Sequence, residues 1–422
     1  MSAKNSDFYA NKVRAGRTAL RNLVLDYGAD LAYTEELVDE KLLKAQRSFN
    51  EILQTVDYKI DEDDVVLRIS KTEKPQCVLQ VGSCSKDNLV AVCKKYSDDV
   101  AAIDINMGCP KPFSLSGGMG AALLSKPDLV KEMITSLVEV SPIPVSCKIR
   151  VLNTVPETIE FAQMLERCGI SALGVHGRQK EERPNHRNRF EEIREVARAL
   201  SIPVISNGES SCIKAFEDIG ISREKCGSSS IMLARIGLQQ PSIFRREGIL
   251  SMDEEIDNFL DKALLFDECH TMTKYVIQRI LGSEQAFDQR GRATVQAGSM
   301  KEICKAWNKE DLYNEFMTKY NRLSHKRKGS IDVTFPPKRL KEQPANTPKC
   351  IIVKYCKEKH LEKPTYESKI TGERRFICTV SIGDKKFAST VPQANKRFAE
   401  QIAALAACYG LNIRDRLEGD WD

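Results

Sequence analysis

Seven short runs of β-branched and other apolar residues recur between Ala29 and Leu233, each followed by a longer stretch with apolar residues at helical spacing. Such a chain is restricted to a parallel sheet with crossover helices, because parallel neighbours need a long return connection and both sheet faces must be covered. The runs are Ala29 to Tyr33, Cys77 to Val81, Ala101 to Ile105, Pro144 to Ile149, Ala172 to Val175, Pro203 to Ser206 and Ser230 to Leu233. Helical patterns fall at Lys86 to Tyr96, Pro127 to Val140, Pro156 to Cys168 and Phe190 to Leu200. These lengths and short connections fit an α/β fold of the closed TIM (β/α)8 type, roughly 250 residues, better than an open sheet.

Parallel barrels collect their reacting groups at the carboxyl ends of the strands. Those ends carry Gln80, Asn106 with Cys109, Lys148, His176 with Arg178, Asn207 with Gly208, and Ala234 with Arg235. Cys109 lies just beyond a buried apolar strand, so its thiol faces a pocket. Alone it could be a structural thiol, but six successive polar or glycine strand ends favour convergence on one site. Asn207-Gly208 and Leu233-Ala234-Arg235 offer backbone N–H groups and a cation where barrels often bind phosphate. Lys148 ends an apolar strand, which leaves its ammonium partly desolvated and in need of an anionic or polar partner; beside a flavin it would stabilise the reduced ring. His176 and Arg178 supply two donors that suit cofactor phosphate, a uracil carbonyl or RNA phosphate. Gly117-Gly118-Met119-Gly120 lacks the spacing of a Walker or Rossmann loop and reads as a flexible active-site loop.

The length of 422 residues suggests two or three domains. Fourteen cysteines without a Cys-x-x-Cys pair or zinc-type spacing read as reduced core residues, and no metal site is expected. The absence of an apolar spanning segment and the polar start predict a soluble, cytoplasmic protein that does not engage membrane. The net charge of +5 is unevenly spread: Lys326 to Arg416 holds twenty Lys/Arg against nine Asp/Glu, the footprint of a module that meets phosphate.

Residues 1–238 are therefore expected to form the barrel, 239–324 a helical domain, 325–347 a basic linker and 348–417 a last compact unit. That last unit has a helix over Cys350 to Lys359, three strands over Thr365 to Val391 and an alanine-rich helix over Gln393 to Tyr409. This α-β-β-β-α order is the layout of a double-stranded-RNA-binding domain, with Lys349, Lys396 and Arg397 as candidate RNA contacts.

Asn-Met-Gly-Cys-Pro (Asn106 to Pro110), Cys-Lys-Ile-Arg (Cys147 to Arg150), Val-His-Gly-Arg (Val175 to Arg178) and Ser-Asn-Gly (Ser206 to Gly208), in this order, resemble the tRNA-dihydrouridine synthases. The resemblance covers nearly the whole chain. It implies an FMN-dependent barrel followed by a helical domain, with NADPH as reductant and tRNA as substrate. The added terminal unit points to the eukaryotic branch that acts on the D-loop uridine at position 20. The family's general acid falls on Cys109, and its FMN contacts fall on Gln80, Lys148, His176, Asn207, Gly208, Ala234 and Arg235. Asn106 and Arg178 are expected at the substrate, and the protein is expected to act as a monomer.

Two features depart from the family. Its short apolar first strand, ending in Ala-Pro-Met against the flavin, has no counterpart in Phe8 to Gly16, so no strand is expected before the helix Thr18 to Tyr27. Val65 to Ile69 is a poor substitute, lying elsewhere in the topology. Glu209 stands where the family often has a second glycine near the cofactor phosphate. The missing strand leaves a second reading open: a catalytically impaired tRNA-binding pseudo-enzyme. A reductase of free pyrimidines is a third, but it leaves the basic terminal unit unexplained.

Overall fold

The computed structural model describes residues 9–10, 16–61, 64–183, 185–328, 347–371, 375–388, 391–411, 413 and 416. In chain order, the first elements are β1 (Tyr9–Ala10), α1 (Thr18–Asp26), β2 (Ala32–Tyr33), β3 (Leu37–Val38) and α2 (Asp39–Lys44). Next come β4 (Gln46–Asn50), β5 (Thr55–Lys59) and β6 (Val65–Ser70), then the alternating series β7 (Cys77–Gly82), α3 (Lys86–Tyr96) and β8 (Ala102–Asn106). The series continues with α4 (Pro112–Ser116), α5 (Pro127–Val140), β9 (Val145–Arg150), α6 (Val155–Arg167), β10 (Ala172–His176), α7 (Phe190–Ala199), β11 (Val204–Asn207), α8 (Phe216–Cys226), β12 (Ser230–Met232) and α9 (Arg235–Gln239).

The sheet runs β1-β12-β11-β10-β9-β8-β7-β2, with β3 also on β7, and each of these pairings is parallel. All seven apolar runs are strands of it. Every residue of β7 is buried, as a strand covered on both faces requires. Around the sheet, α6 starts on a Thr154/Glu157 capping box and α3 on Ser85, whose hydroxyl accepts the Asn88 N–H.

Where no strand was expected before α1, the structure has the two-residue β1, with Tyr9 opposite Ile231 and Ala10 opposite Met232. A ladder this short is made by backbone groups alone and needs no apolar run. Among the described residues no ladder joins β1 to β2. Val65–Ser70 belongs to a separate antiparallel sheet, β4-β5-β6, outside the barrel.

Beyond α9 come α10 (Met252–Leu265), α11 (His270–Leu281), α12 (Gln289–Gln296), α13 (Met300–Ala306) and α14 (Glu310–Lys328). One core joins Leu20, Leu23 and Val24 of α1 to Phe259 and Leu260 of α10 and Ile277 of α11. The helical region thus buries its apolar faces against the barrel's first helix. Arg21 of α1 is itself buried, and its guanidinium meets the Glu73 carboxylate at 2.7 and 3.0 Å.

The chain divides into two units, Met1–Ile60 with Val65–Asn314 and Asp61–Asp64 with Glu315–Asp422. Of the linker expected at 325–347, residues 329–346 lie outside the described residues. In the second unit, α15 (Pro348–Glu358) and α16 (Lys396–Gly410) lie on an antiparallel sheet of β13 (Thr365–Thr371), β14 (Arg375–Ile382) and β15 (Lys385–Ala388). Ile352, Val380, Phe387, Ile402 and Leu405 build its core. No helix among the described residues is long and apolar enough to cross a membrane.

Candidate active site

Parallel pairing levels the strand ends. Asn106 lies opposite Lys148, Arg150 opposite His176, and His176 opposite Asn207. Alternate strand residues share a face, so Asp104 and Asn106 point the same way, as do Ser146 and Lys148.

Asn106 is buried and its amide shapes the turn that presents the thiol. Its Oδ1 accepts the backbone N–H groups of Gly108 at 2.9 Å and Cys109 at 3.1 Å. Its Nδ2 donates to Gln80 Oε1 at 3.1 Å, and Gln80 Nε2 donates to Asp104 Oδ2 at 2.6 Å. Ser146 Oγ completes the chain by donating to Asp104 Oδ1 at 2.7 Å. Three strands are tied at their ends by this network, so Gln80 and Asn106 are scaffolding before they are contacts.

Cys109 is half-buried. The loop after it, expected to be flexible, is packed against it: Ala121 N–H donates to Cys109 O at 3.0 Å. Gly120, at φ +57°, makes this approach possible, because a Cβ there would stand 2.4 Å from Ser114 Oγ and 2.7 Å from Cys109 O. Burial pushes the thiol's pKa up; the Lys111 backbone N–H and Ser114 hydroxyl pull it down, while the Glu36 carboxylate pushes it up. With its pKa raised, the group is a protonated thiol at neutral pH rather than a thiolate.

Two residues that the strand-end reading passed over belong here. Arg150 ends β9 and braces the turn, donating from Nε to Gly108 O at 2.7 Å and from Nη1 to Gln179 O at 2.8 Å. Its signal was its place at the end of the Cys147 to Arg150 motif. Glu36 follows β2, a strand end whose polar residues went unread.

Lys148 is buried, its stem running past Gly174 of β10, where a Cβ would stand 3.1 Å from Lys148 Cγ. Around His176, burial and the charges of Lys148, Arg150, Arg178 and Arg235 push the imidazole down to about 2, so it is neutral. Its Nδ1 accepts the Arg178 backbone N–H at 3.2 Å, which sets the Nε2–H tautomer and makes the ring a donor. The Arg178 side chain cross-links loops, donating to His186 O at 2.7 Å and to Gly208 O at 2.8 Å.

Asn207 Nδ2 donates to Met232 O at 2.8 Å, joining β11 to β12. Gly208 has φ +120°, and a Cβ there would fall 2.2 Å from Asn188 Oδ1. Asn188 in turn donates to Glu209 Oε2 at 3.1 Å, and Arg178 also faces that carboxylate. The Glu209 anion is answered within the protein. Ala234 caps α9 and Arg235 opens it, half-buried among the cations near His176.

In the second unit, Lys396 and Arg397 are exposed in the first turn of α16, which Asn395 caps by accepting the Phe398 N–H at 3.0 Å. Lys349 is tethered: its Nζ lies 2.6 Å from Glu400 Oε2 and 4.5 Å from the centre of the Tyr366 ring.

Cations and a protonated thiol gathered at the strand ends of a parallel barrel sheet are the arrangement of a barrel enzyme's active face. Residues 13–330 match the family model for dihydrouridine synthase, and residues 348–411 match that for the double-stranded RNA binding motif. The chain belongs to the dihydrouridine synthase family. It is 32% identical over 325 residues to a Schizosaccharomyces pombe protein named tRNA-dihydrouridine(20) synthase, NAD(P)+, covering 73% of this chain and 67% of that one. The Saccharomyces cerevisiae protein of the same name is 33% identical over 299 residues, covering 66% and 78%. A human tRNA-dihydrouridine(20a/20b) synthase-like protein is 31% identical over 240 residues, covering 56% and 69%.

Proposed function

We propose that the chain reduces the C5=C6 bond of a uridine in the tRNA D-loop, at position 20, to dihydrouridine, with FMN as bound cofactor and NADPH as reductant. The observation that carries this reading is the half-buried, protonated Cys109 on a turn fixed by Asn106 and Arg150. Reducing the double bond takes a hydride at C6 and a proton at C5. FMN, when bound, supplies the hydride and is recharged by NADPH. The proton needs a separate acid, and Cys109 is that acid.

The residues present fit the cofactor. Lys148, Arg150, Arg178 and Arg235 converge around a neutral His176, a concentration of positive charge that suits a phosphate and an electron-rich ring. Gln80, Lys148, His176, Asn207, Gly208, Ala234 and Arg235 would hold FMN. Asn106, besides shaping the turn, and Arg178, besides bracing the loops, border the space for the uracil. The base must leave its stack to enter, so an extruded uridine is bound. Lys396, Arg397 and Lys349 would meet tRNA phosphates, giving affinity that falls with salt. The names of the two yeast relatives support position 20 and a nicotinamide reductant.

Replacing Cys109 by alanine tests the assignment. Dihydrouridine formation in a single turnover should fall roughly 10²- to 10⁴-fold while the visible flavin absorbance is kept. Normal turnover by the variant refutes the acid, and a folded protein that stays colourless with added FMN refutes the cofactor.

A further inference from the structure

Cys109 has a charged neighbour that its own motif does not contain. Glu36 lies between β2 and β3, both of which pair with β7, with Val38 opposite Gly82. On its other side β7 pairs with β8, the strand that delivers Cys109. To reach the thiol, the Glu36 side chain must pass the end of β7, and Gly82 leaves the room. A Cβ on Gly82 would stand 3.1 Å from Glu36 Oε1, 3.4 Å from Cγ and 3.6 Å from Cδ. The same carboxyl group acts on the Cys109 thiol both as a charge and as a hydrogen-bond acceptor. Its Oε1 is buried and accepts no hydrogen bond among the described residues. A buried acceptor without a donor is unfavourable, and the Cys109 S–H is a donor that this carboxyl group can take up.

We propose that Glu36 is a positioning residue for the acid: its carboxylate accepts the Cys109 S–H and, as a like charge, opposes the thiolate, keeping Cys109 loaded with its proton. The inference rests on Cys109 being the acid. In the reaction the Sγ–H bond breaks as the C5–H bond forms, and the thiolate left behind takes its next proton from water. Glu36 makes that thiolate short-lived. Burial works in the same direction, whereas the Lys111 backbone N–H, the Ser114 hydroxyl and the Arg150 guanidinium favour the thiolate. Glu36 therefore offsets a surrounding that would otherwise draw the proton off.

Iodoacetamide alkylation of Cys109 across pH tests this, read by peptide mass spectrometry so that the exposed Cys84, Cys212 and Cys269 are counted separately. Glu36→Gln keeps the shape and removes the charge. Its alkylation profile should move to lower pH, with a rate at neutral pH raised roughly three- to tenfold, since only the thiolate reacts. The alkaline limb of dihydrouridine formation should move the same way. Glu36→Asp keeps the charge and should stay near wild type. A Glu36→Gln profile that superimposes on wild type overturns the proposal, as does a Glu36→Asp profile displaced as far as that of Glu36→Gln. Full activity in Cys109→Ala would remove the acid assignment, whereas the alkylation profiles report on the Glu36–Cys109 pair whether or not the enzyme turns over.

Discussion

Asn106→Ala should cost the enzyme more activity than stability. The change removes three hydrogen bonds, from Gly108 N–H, from Cys109 N–H and to Gln80 Oε1. The half-buried Cys109 N–H can turn to water, but Gly108 N–H and Gln80 Oε1 are buried. At about 1 kcal/mol for each bond, with more for buried groups left unpaired, the loss is about 3 kcal/mol. For a unit of this size that corresponds to a melting temperature lower by about 6 °C. An assay at 25 °C would still see a folded protein. The turn, however, loses what holds Cys109 in place, and a displacement of about 1 Å at a reacting group costs roughly 100-fold. Asn106→Asp is the control, because its Oδ1 still accepts the two N–H groups while the donor to Gln80 is gone. It should lose about half as much stability and keep most of the turn. Differential scanning fluorimetry and single-turnover dihydrouridine formation measure the two effects. The reasoning fails if Asn106→Ala melts within about 1 °C of wild type and retains activity within about threefold.

Other perturbations have equally definite outcomes. Arg21→Met strands the buried Glu73 carboxylate and should cost about 3–5 kcal/mol in urea unfolding, whereas Arg21→Met with Glu73→Met should recover most of it; an equally unstable double variant would refute the pairing. His176 is held down to about 2 by burial and its cationic neighbours. Below about pH 6.5 the unfolded chain takes up a proton that the folded imidazole refuses, so stability of the flavin-free protein should fall with falling pH, by up to about 1.4 kcal/mol per unit. His176→Gln should flatten that slope in pH-dependent denaturation, and an unchanged slope would contradict it. Glu400→Ala frees Lys349 and should strengthen tRNA binding severalfold while steepening its salt dependence by about one counterion; unchanged affinity and slope in a salt titration would mean that Lys349 does not meet phosphate.

The barrel was legible because its strands are continuous apolar runs bounded by polar ends, a pattern that burial on both faces produces. The candidate site was legible for the same reason, since Asn106, Lys148 and His176 mark where those runs stop. What escaped lacked such a pattern. β1 is two residues long and held by backbone pairing. β4 is largely exposed along its length and is placed by pairing with β5 and by the Arg47–Asp99 ion pair, neither of which its own pattern reveals. Asn188 comes from the loop after His176 and is recognisable only once Gly208 is seen to need the space beside it. Glu36 required knowing that Gly82 leaves a passage. The change of periodicity near Pro241 was visible, but periodicity reports which residues are apolar and not which partner covers them.

That last point bears on how the chain comes off the ribosome. The apolar face of α1 is covered by α10 and α11, and Tyr27 OH receives a hydrogen bond from Asn258, 231 residues later. Synthesis at roughly 5–20 residues per second leaves Leu20, Leu23 and Val24 without their final cover for tens of seconds. Closing so long a loop is entropically costly and slows folding. During that interval the nascent barrel presents a greasy flank, a natural foothold for chaperones. Cutting the finished protein after α9 would recreate the same exposed state permanently.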